Sequence, residues 1–337
     1  YLAGRFFLQK LYKEASQQSW TDETKYEQYK QCFIDNIKKT VALGLVDARM
    51  LEYDLTKIAE SVLPDRDYLL QYTSIQTLYD RYFISIEGRR METPQAFLMR
   101  VAMGLALQEK NKEVWAVKFY DLMSTMRYCP STPTLFHSGT THPQLSSCYL
   151  TTIEDDLTHI FKCIADNAQM SKWSGGLGND WTNIRAMGSF IKKTNSESQG
   201  VVPFLKIAND VTVISKTGKR RGGTCAYLET WHLDIEEFLN LRKNTGDERR
   251  RTHDMNTANW IPDLFMKRVL NDEKWTLFSP SDAPQLHHLY GKNFERKYEE
   301  YEAMTKNGKL KKFKELRARE LLRKMLSMLF ETGHPWI

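Results

Sequence analysis

SSCYLTTI at 146–153, LTHIFKCIADNAQMSKW at 157–173 and GTCAYLETW at 223–231 set a short β-prone run, a longer run of helical period and a second β-prone run in succession. Threonine and aromatic residues fill the first and third, whereas the second carries apolar residues at three and four spacings. PDLFMKRVLND at 262–272 and KWTLFSPSD at 274–282 repeat the alternation further on. Strands alternating with helices imply α/β layering with parallel strands. Upstream the texture is helical, in YLAGRFFLQKLYKEA at 1–15, YKQCFIDNIKKTVALGLV at 29–46 and PQAFLMRVAMGLALQ at 94–108. Thr93 followed by Pro94 marks the start of the last of these. The expected organisation is therefore a helical domain over 1–128 and an α/β domain over 129–337. The segment 293–326, rich in Lys, Arg and Glu, reads as one or two solvated helices. No repeat of fixed period and no low-complexity tract interrupts the chain.

The 337 residues suit two domains, and 41% hydrophobic with 27% charged residues is a soluble globular balance. Lys and Arg exceed Asp and Glu by 48 to 42, a modest +6 spread along the chain. No run approaches the length of a membrane span and the first residues are amphipathic, so a cytoplasmic setting is expected. The cysteines at 32, 129, 148, 163 and 225 lack CxxC or paired spacing, which argues against a disulfide framework and a structural zinc site. Reduced thiols are then the default, and one is free to be redox-active.

Three loops rich in glycine or hydroxyls follow one another: CPSTPTLFHSGTTHPQLSSC at 129–148, SGGLGND at 174–180 and SKTGKRRGG at 215–223. Each suits phosphate, because glycines let backbone N–H groups approach an anion while hydroxyls and basic side chains add donors. None has the Walker spacing and none is a GxGxxG opening a helix. A single such loop is more often a turn, so their number carries the argument. The basic runs Lys216 to Arg221, Arg249 to Arg251 and Lys309 to Lys312 suit either a nucleic-acid backbone or, more simply, a solvated face. Aromatic residues do not interleave with them. In WHLDIEEF at 231–238 a histidine sits beside three carboxylates, but Asp234, Glu236 and Glu237 are more simply the acidic first turn of a helix. His253 with Asp254, and His287 with His288, match no metal spacing either, so no metal site is expected. Cys148, preceded by two serines and followed by a β-prone run, is the thiol that stands out.

Read as whole strings, LYDRYF (78–83), ETPQAFLMRVAMGLA (92–106), STPTLFHSGT (131–140), QLSSCYL (144–150), SKWSGGLGNDWTNIRAMGSFI (171–191), GVVPFLKIANDV (200–211), the run from Cys225 to Arg268 and WTLFSPSDAP (275–284) resemble the large, catalytic subunit of class I ribonucleotide reductase. The matches keep their order over nearly the whole chain. The resemblance implies a helical domain followed by the first half of a ten-stranded α/β barrel, each half having five strands. It implies that Thr132, Ser147 and Gly176 hold a ribonucleoside diphosphate, and that Cys148 is one of two thiols that reduce the ribose. It further implies an allosteric site for ATP or deoxynucleoside triphosphates with Asp155, Asp156, Leu157, Lys172, Arg185, Lys192 and Lys193. Lys216 and Arg221 fall in the loop that links effector to substrate, where Lys216 and Thr217 depart from the family's usual Gln.

No cofactor is expected on this chain; a metal-radical centre belongs to the family's separate small subunit. Other implied partners are a second large subunit, thioredoxin or glutaredoxin, and the C-terminal half of the barrel. The family's radical motif, Asn-x-Cys-x-Glu, does not occur here, and the chain ends at ETGHPWI, a string that in the family lies just upstream of it. The partner of Cys148, the tyrosine pair of the radical path, the C-terminal CxxC and the N-terminal ATP-binding cone are likewise not seen. A fragment or a naturally split subunit fits these features. A nucleotide-sensing or assembly module without catalysis is the alternative, and a basic nucleic-acid-binding protein a weaker one.

Overall fold

The computed structural model describes residues 1–21, 23–172, 175–214 and 223–337. It divides into two compact units, Tyr1–Ser147 and Cys148–Ile337.

The first unit holds α1 (Leu2–Ser16), α2 (Lys25–Ala42), α3 (Leu55–Glu60), α4 (Tyr72–Thr77), α5 (Pro94–Ala106), α6 (Lys112–Ser124), α7 (Thr132–His137) and a two-residue ribbon, β1 (Ser85–Ile86) with β2 (Arg89–Arg90). Helix α5 is buried on almost every side, as a helix apolar all round must be. It starts at Pro94 as expected, although Thr93 makes no capping bond and turns its hydroxyl to Tyr29. Arg100 lies inside the core, its charge answered by Glu92 at 2.5 Å and by the carbonyl of Ser138 at 2.5 Å. Gly104 lets the backbone of the next loop press against the helix, since a Cβ there would lie 2.1 Å from the Gly139 nitrogen.

These contacts move the domain division. The sequence places it at 128/129, but residues 129–147 stay with the helices because α7 and the Ser138–Gly139 turn pack on α5. Ser138 Oγ donates to the Val101 carbonyl at 2.7 Å, and the amide of Asp47 to the Gly139 carbonyl at 3.0 Å.

The second unit is built on four parallel strands in the order β3 (Cys148–Thr152), β4 (Gly176–Asp180), β7 (Thr224–Glu229), β8 (Asn256–Trp260). Helix α8 (Leu157–Lys172) connects the first pair. The hairpin β5 (Phe190–Ile191)/β6 (Ser196–Glu197) and α9 (Val202–Ile214) lie between β4 and β7, and α10 (Ile235–Leu239) between β7 and β8. Five strands were expected. Among the described residues four form, and Trp336 takes the fifth place as a parallel bridge to Ala258, exchanging backbone bonds with Thr257 and Asn259 at 2.8 and 2.9 Å.

Beyond the sheet come α11 (Asp263–Asn271), β9 (Lys274–Phe278), α12 (Gly291–Lys306), β10 (Phe313–Arg317) and α13 (Ala318–Thr332). The segment 293–326 is thus not wholly helical, for β10 pairs antiparallel with β9 between two helices. Its charged composition suits an exposed edge strand as well as a helix. Trp181, Trp231 and Trp275 are fully buried in the core of this unit. Among the described residues no helix is long and apolar enough to cross a membrane.

Candidate functional site

In a parallel sheet, residues paired across neighbouring strands point to the same face, and residues two apart repeat it. The register Cys148↔Gly176, Gly178↔Cys225 and Cys225↔Asn256 therefore gathers Cys148 and Leu150, Gly176, Gly178 and Asp180, Cys225, Tyr227 and Glu229, and Ala258 and Trp260 on one face. The opposite face packs on the helices: Asn167 of α8 bonds Asn179 at 2.8 Å, and Ala226 and Leu228 are fully buried. The first face is open in this chain, with Leu150 82% and Trp260 64% exposed.

Cys148 and Gly176 stand side by side at the starts of β3 and β4. The two glycines of β4 leave a trough between the flanking strands. A Cβ on Gly178 would come within 2.7 Å of the Leu150 side chain and 3.2 Å of the Tyr227 ring. Cys148 is exposed, whereas burial pushes the Cys225 thiol up to about 11, which keeps it protonated and unreactive. Burial first, then the nearby thiols of Cys225 and Cys148, holds the Tyr227 phenol above its usual value. Tyr227 lies close enough to feel Cys148, and Cys225 shares their face one strand beyond β4, an arrangement that strand register alone reveals.

At the carboxyl ends of β4 and β7, His287 bridges Asp180 at 3.1 Å and Glu229 at 2.7 Å. Burial disfavours the imidazolium, but the bond to Glu229 and the charge of Asp180 outweigh it and raise the histidine above its usual value. Burial likewise raises Glu229, against its bonds from His287 and Trp231. His232 is a different case. It is fully buried, with Nε2 2.8 Å from the Ile184 carbonyl and Nδ1 accepting from the Asp234 amide at 3.0 Å. Asp234 accepts from the amides of Met187 and Val201. That string is structural, and among the described residues no group of three His, Cys, Asp or Glu side chains is set to hold a metal ion.

A cavity of about 1230 Å³ opens beyond the ends of β3 and β4. Asp155, Asp156, Leu157, Arg185, Lys192 and Lys193 all line it. Arg185 Nε lies 2.6 Å from Asp155, whose carboxyl burial nevertheless keeps above its usual value. Asp156 opens α8, accepting from the His159 amide at 2.9 Å. Lys192 and Lys193 extend from the β5/β6 hairpin. Lys172 does not join them: it closes α8, roughly 22 Å along the helix from Leu157 at 1.5 Å per residue. Lys216 and Arg221 lie outside the described residues. Thr132 begins α7 in the helical unit, its Oγ1 3.4 Å from the Tyr82 hydroxyl, and Ser147 is the last residue of that unit. Ser281, Asp282 and the run Lys309–Lys312 also line the cavity. The sequence marked that run only by its charge.

A helical unit followed in the chain by a unit with a four-stranded parallel sheet, an exposed thiol at the start of its first strand and a charged cavity at the far ends of its strands, defines the class as an α/β protein with a helical domain before it. Residues 146–337 match the ribonucleotide reductase barrel domain, and residues 68–143 the ribonucleotide reductase all-alpha domain. The chain belongs to the ribonucleotide reductase large-subunit family. The ribonucleoside-diphosphate reductase subunit alpha of Chlamydia muridarum is 55% identical over 338 residues, which is all of this chain and 32% of that protein. The subunit alpha of Helicobacter pylori strain J99 is 40% identical over 340 residues, all of this chain and 42% of that protein. The large subunit of Arabidopsis thaliana is 40% identical over 284 residues, 83% of this chain and 34% of that protein. The chain thus spans 32% to 42% of the length of these curated relatives.

Proposed function

We propose that this chain forms part of the large subunit of a ribonucleoside-diphosphate reductase and supplies one of its reducing thiols. The observation that carries the reading is the pairing of exposed Cys148 with Gly176 on the open, glycine-floored face of the sheet. Gly176 offers a backbone unobstructed by a side chain, and Thr132 and Ser147 offer hydroxyls, for the substrate's diphosphate. Cys148 and a second thiol from outside this face give up two electrons and two protons and finish as a disulfide. The ribose 2′-hydroxyl leaves as water and its carbon gains hydrogen, so the exchange balances. Radical initiation belongs to other parts of the enzyme, with the metal centre on the small subunit and re-reduction by thioredoxin or glutaredoxin.

The same reading gives the cavity lined by Asp155, Asp156, Leu157, Arg185, Lys192 and Lys193 to a nucleoside triphosphate effector, in a large-subunit dimer. Guanidinium and ammonium groups suit its phosphates, and carboxylates suit the hydroxyls of its sugar. Lys216 and Arg221 complete the proposed set of effector residues, and Lys172, at the far end of α8 from this cavity, belongs to it only by resemblance.

The test uses the intact large subunit with its small subunit, a dithiol and CDP. Cys148→Ser should lower multiple turnover by on the order of a thousandfold or more, the scale expected when a group that bonds covalently is lost. Binding of dTTP should be unchanged. Sustained turnover by the variant would sink the assignment.

A further inference from the structure

The basic run at 309–312 reads from sequence as a solvated face or a contact for nucleic-acid backbone, yet its side chains line the same cavity as Asp155 and Arg185. The backbone explains why. After α12, Gly308 takes the left-handed conformation (φ 68°), and the amides of Lys309 and Leu310 return to the Met304 carbonyl at 3.0 and 3.2 Å. Leu310 is only 5% exposed and belongs to the core of its unit. It pins the turn, so exposed Lys309 and Lys311 flank a buried anchor and are held at the cavity rim.

Lys312 goes deeper. A Cβ on Gly188 would meet its Nζ at 2.6 Å, so this glycine leaves the space its ammonium occupies. Gly188 (φ 72°) lies just before the hairpin that carries Lys192 and Lys193. Two segments far apart in the chain thus deliver five lysines to one cavity.

The charge is not balanced locally. Six cationic side chains line the cavity against the three carboxylates of Asp155, Asp156 and Asp282. Asp155 is committed to Arg185 and Asp156 to the first turn of α8. Asp282 feels the charge of Lys312. Among the described residues no ion pair engages Lys192, Lys193, Lys309 or Lys311. A single phosphate carries about −1.5 to −2 at neutral pH, which two lysines balance. The lysines here match a chain of several phosphates.

We propose that the 308–312 turn is a polyphosphate-binding wall: Lys309, Lys311 and Lys312 act with Lys192 and Lys193 on the phosphates of a nucleoside triphosphate. The inference rests on the reading of this cavity as a nucleotide site and adds the segment that selects for phosphate number. Calorimetric titration of the full chain with dTTP, dTMP, inorganic triphosphate and a single-stranded oligonucleotide tests it. Three proteins are compared: the parent, Lys309→Ala/Lys311→Ala and Lys192→Ala/Lys193→Ala. The 309/311 pair should weaken dTTP and inorganic triphosphate by roughly tenfold or more, from loss of charge-assisted bonds, and dTMP by less than about threefold. An unchanged thermal midpoint excludes misfolding, and Lys309→Gln/Lys311→Gln should reproduce the loss. If only the 192/193 pair weakens dTTP, the wall is overturned while the nucleotide site stands. If dTTP does not bind the parent, or neither pair alters its affinity, both readings fall. Oligonucleotide binding as tight as dTTP, lost in the 309/311 pair, overturns the wall in favour of nucleic acid.

Discussion

Alternate residues of the same strands face opposite ways, and the two faces of the parallel sheet obey different rules. The helix-packed face carries Ala226, Leu228 and the Asn167–Asn179 pair, all enclosed. The other carries two thiols, two glycines, a phenol and charged groups, with Leu150 and Trp260 largely exposed. One face is closed by packing and the other leaves room beside its side chains. Stability and function should therefore separate by residue parity along a single strand.

The largest expected contrast is between two leucines. Leu228→Ala should lower stability by about 2–5 kcal/mol, the usual cost of an emptied core position. Leu150→Ser, at 82% exposure, should stay within about 0.5 kcal/mol. Chemical denaturation of the full chain measures both, and comparable losses would break the division between faces.

Next in size, Asn167→Ala leaves the Asn179 amide without its 2.8 Å partner in a closed environment. A cost of about 1–3 kcal/mol is expected from the same unfolding curves. A neutral result would mean that water reaches this face.

The smallest effect concerns pH and sharpens the comparison, because the packed face carries no Asp, Glu or His in these strands. His287 is raised above its ordinary 6.5. Its ion pairs then contribute fully below about pH 6.5 and are lost as pH rises through the folded-state value. Glu229, also raised, adds a decline in the same direction. His287→Gln should flatten the loss of stability as pH rises above about 6.5, and an equally steep decline in the variant would refute the bridge.

The alternation of β-prone and helical runs made the α/β unit legible, because periods of 2 and 3.6 are local properties of the chain. The place of residues 129–147 was not legible: they have no periodicity, and their allegiance depends on Gly104 and Arg100 in a helix some 35 residues away. Strand β10 hid in a charged run because its partner β9 lies some 40 residues earlier, and cross-strand pairing leaves no mark on composition. Resemblance singled out Cys148 and the Asp155 segment. It could not single out Tyr227, Cys225, His287 or the lysines at 309–312, whose nearness is a matter of register and of one buried leucine.

Strand β4 also acts as an insulator. It separates Cys148 from Cys225, so their backbones stand at least about 10 Å apart at 4.8 Å per strand spacing, beyond the roughly 7 Å that a disulfide spans. The two sulfurs of this face cannot short-circuit one another under oxidation. Exposed Cys148 is thereby left without a disulfide partner on its own face of the sheet.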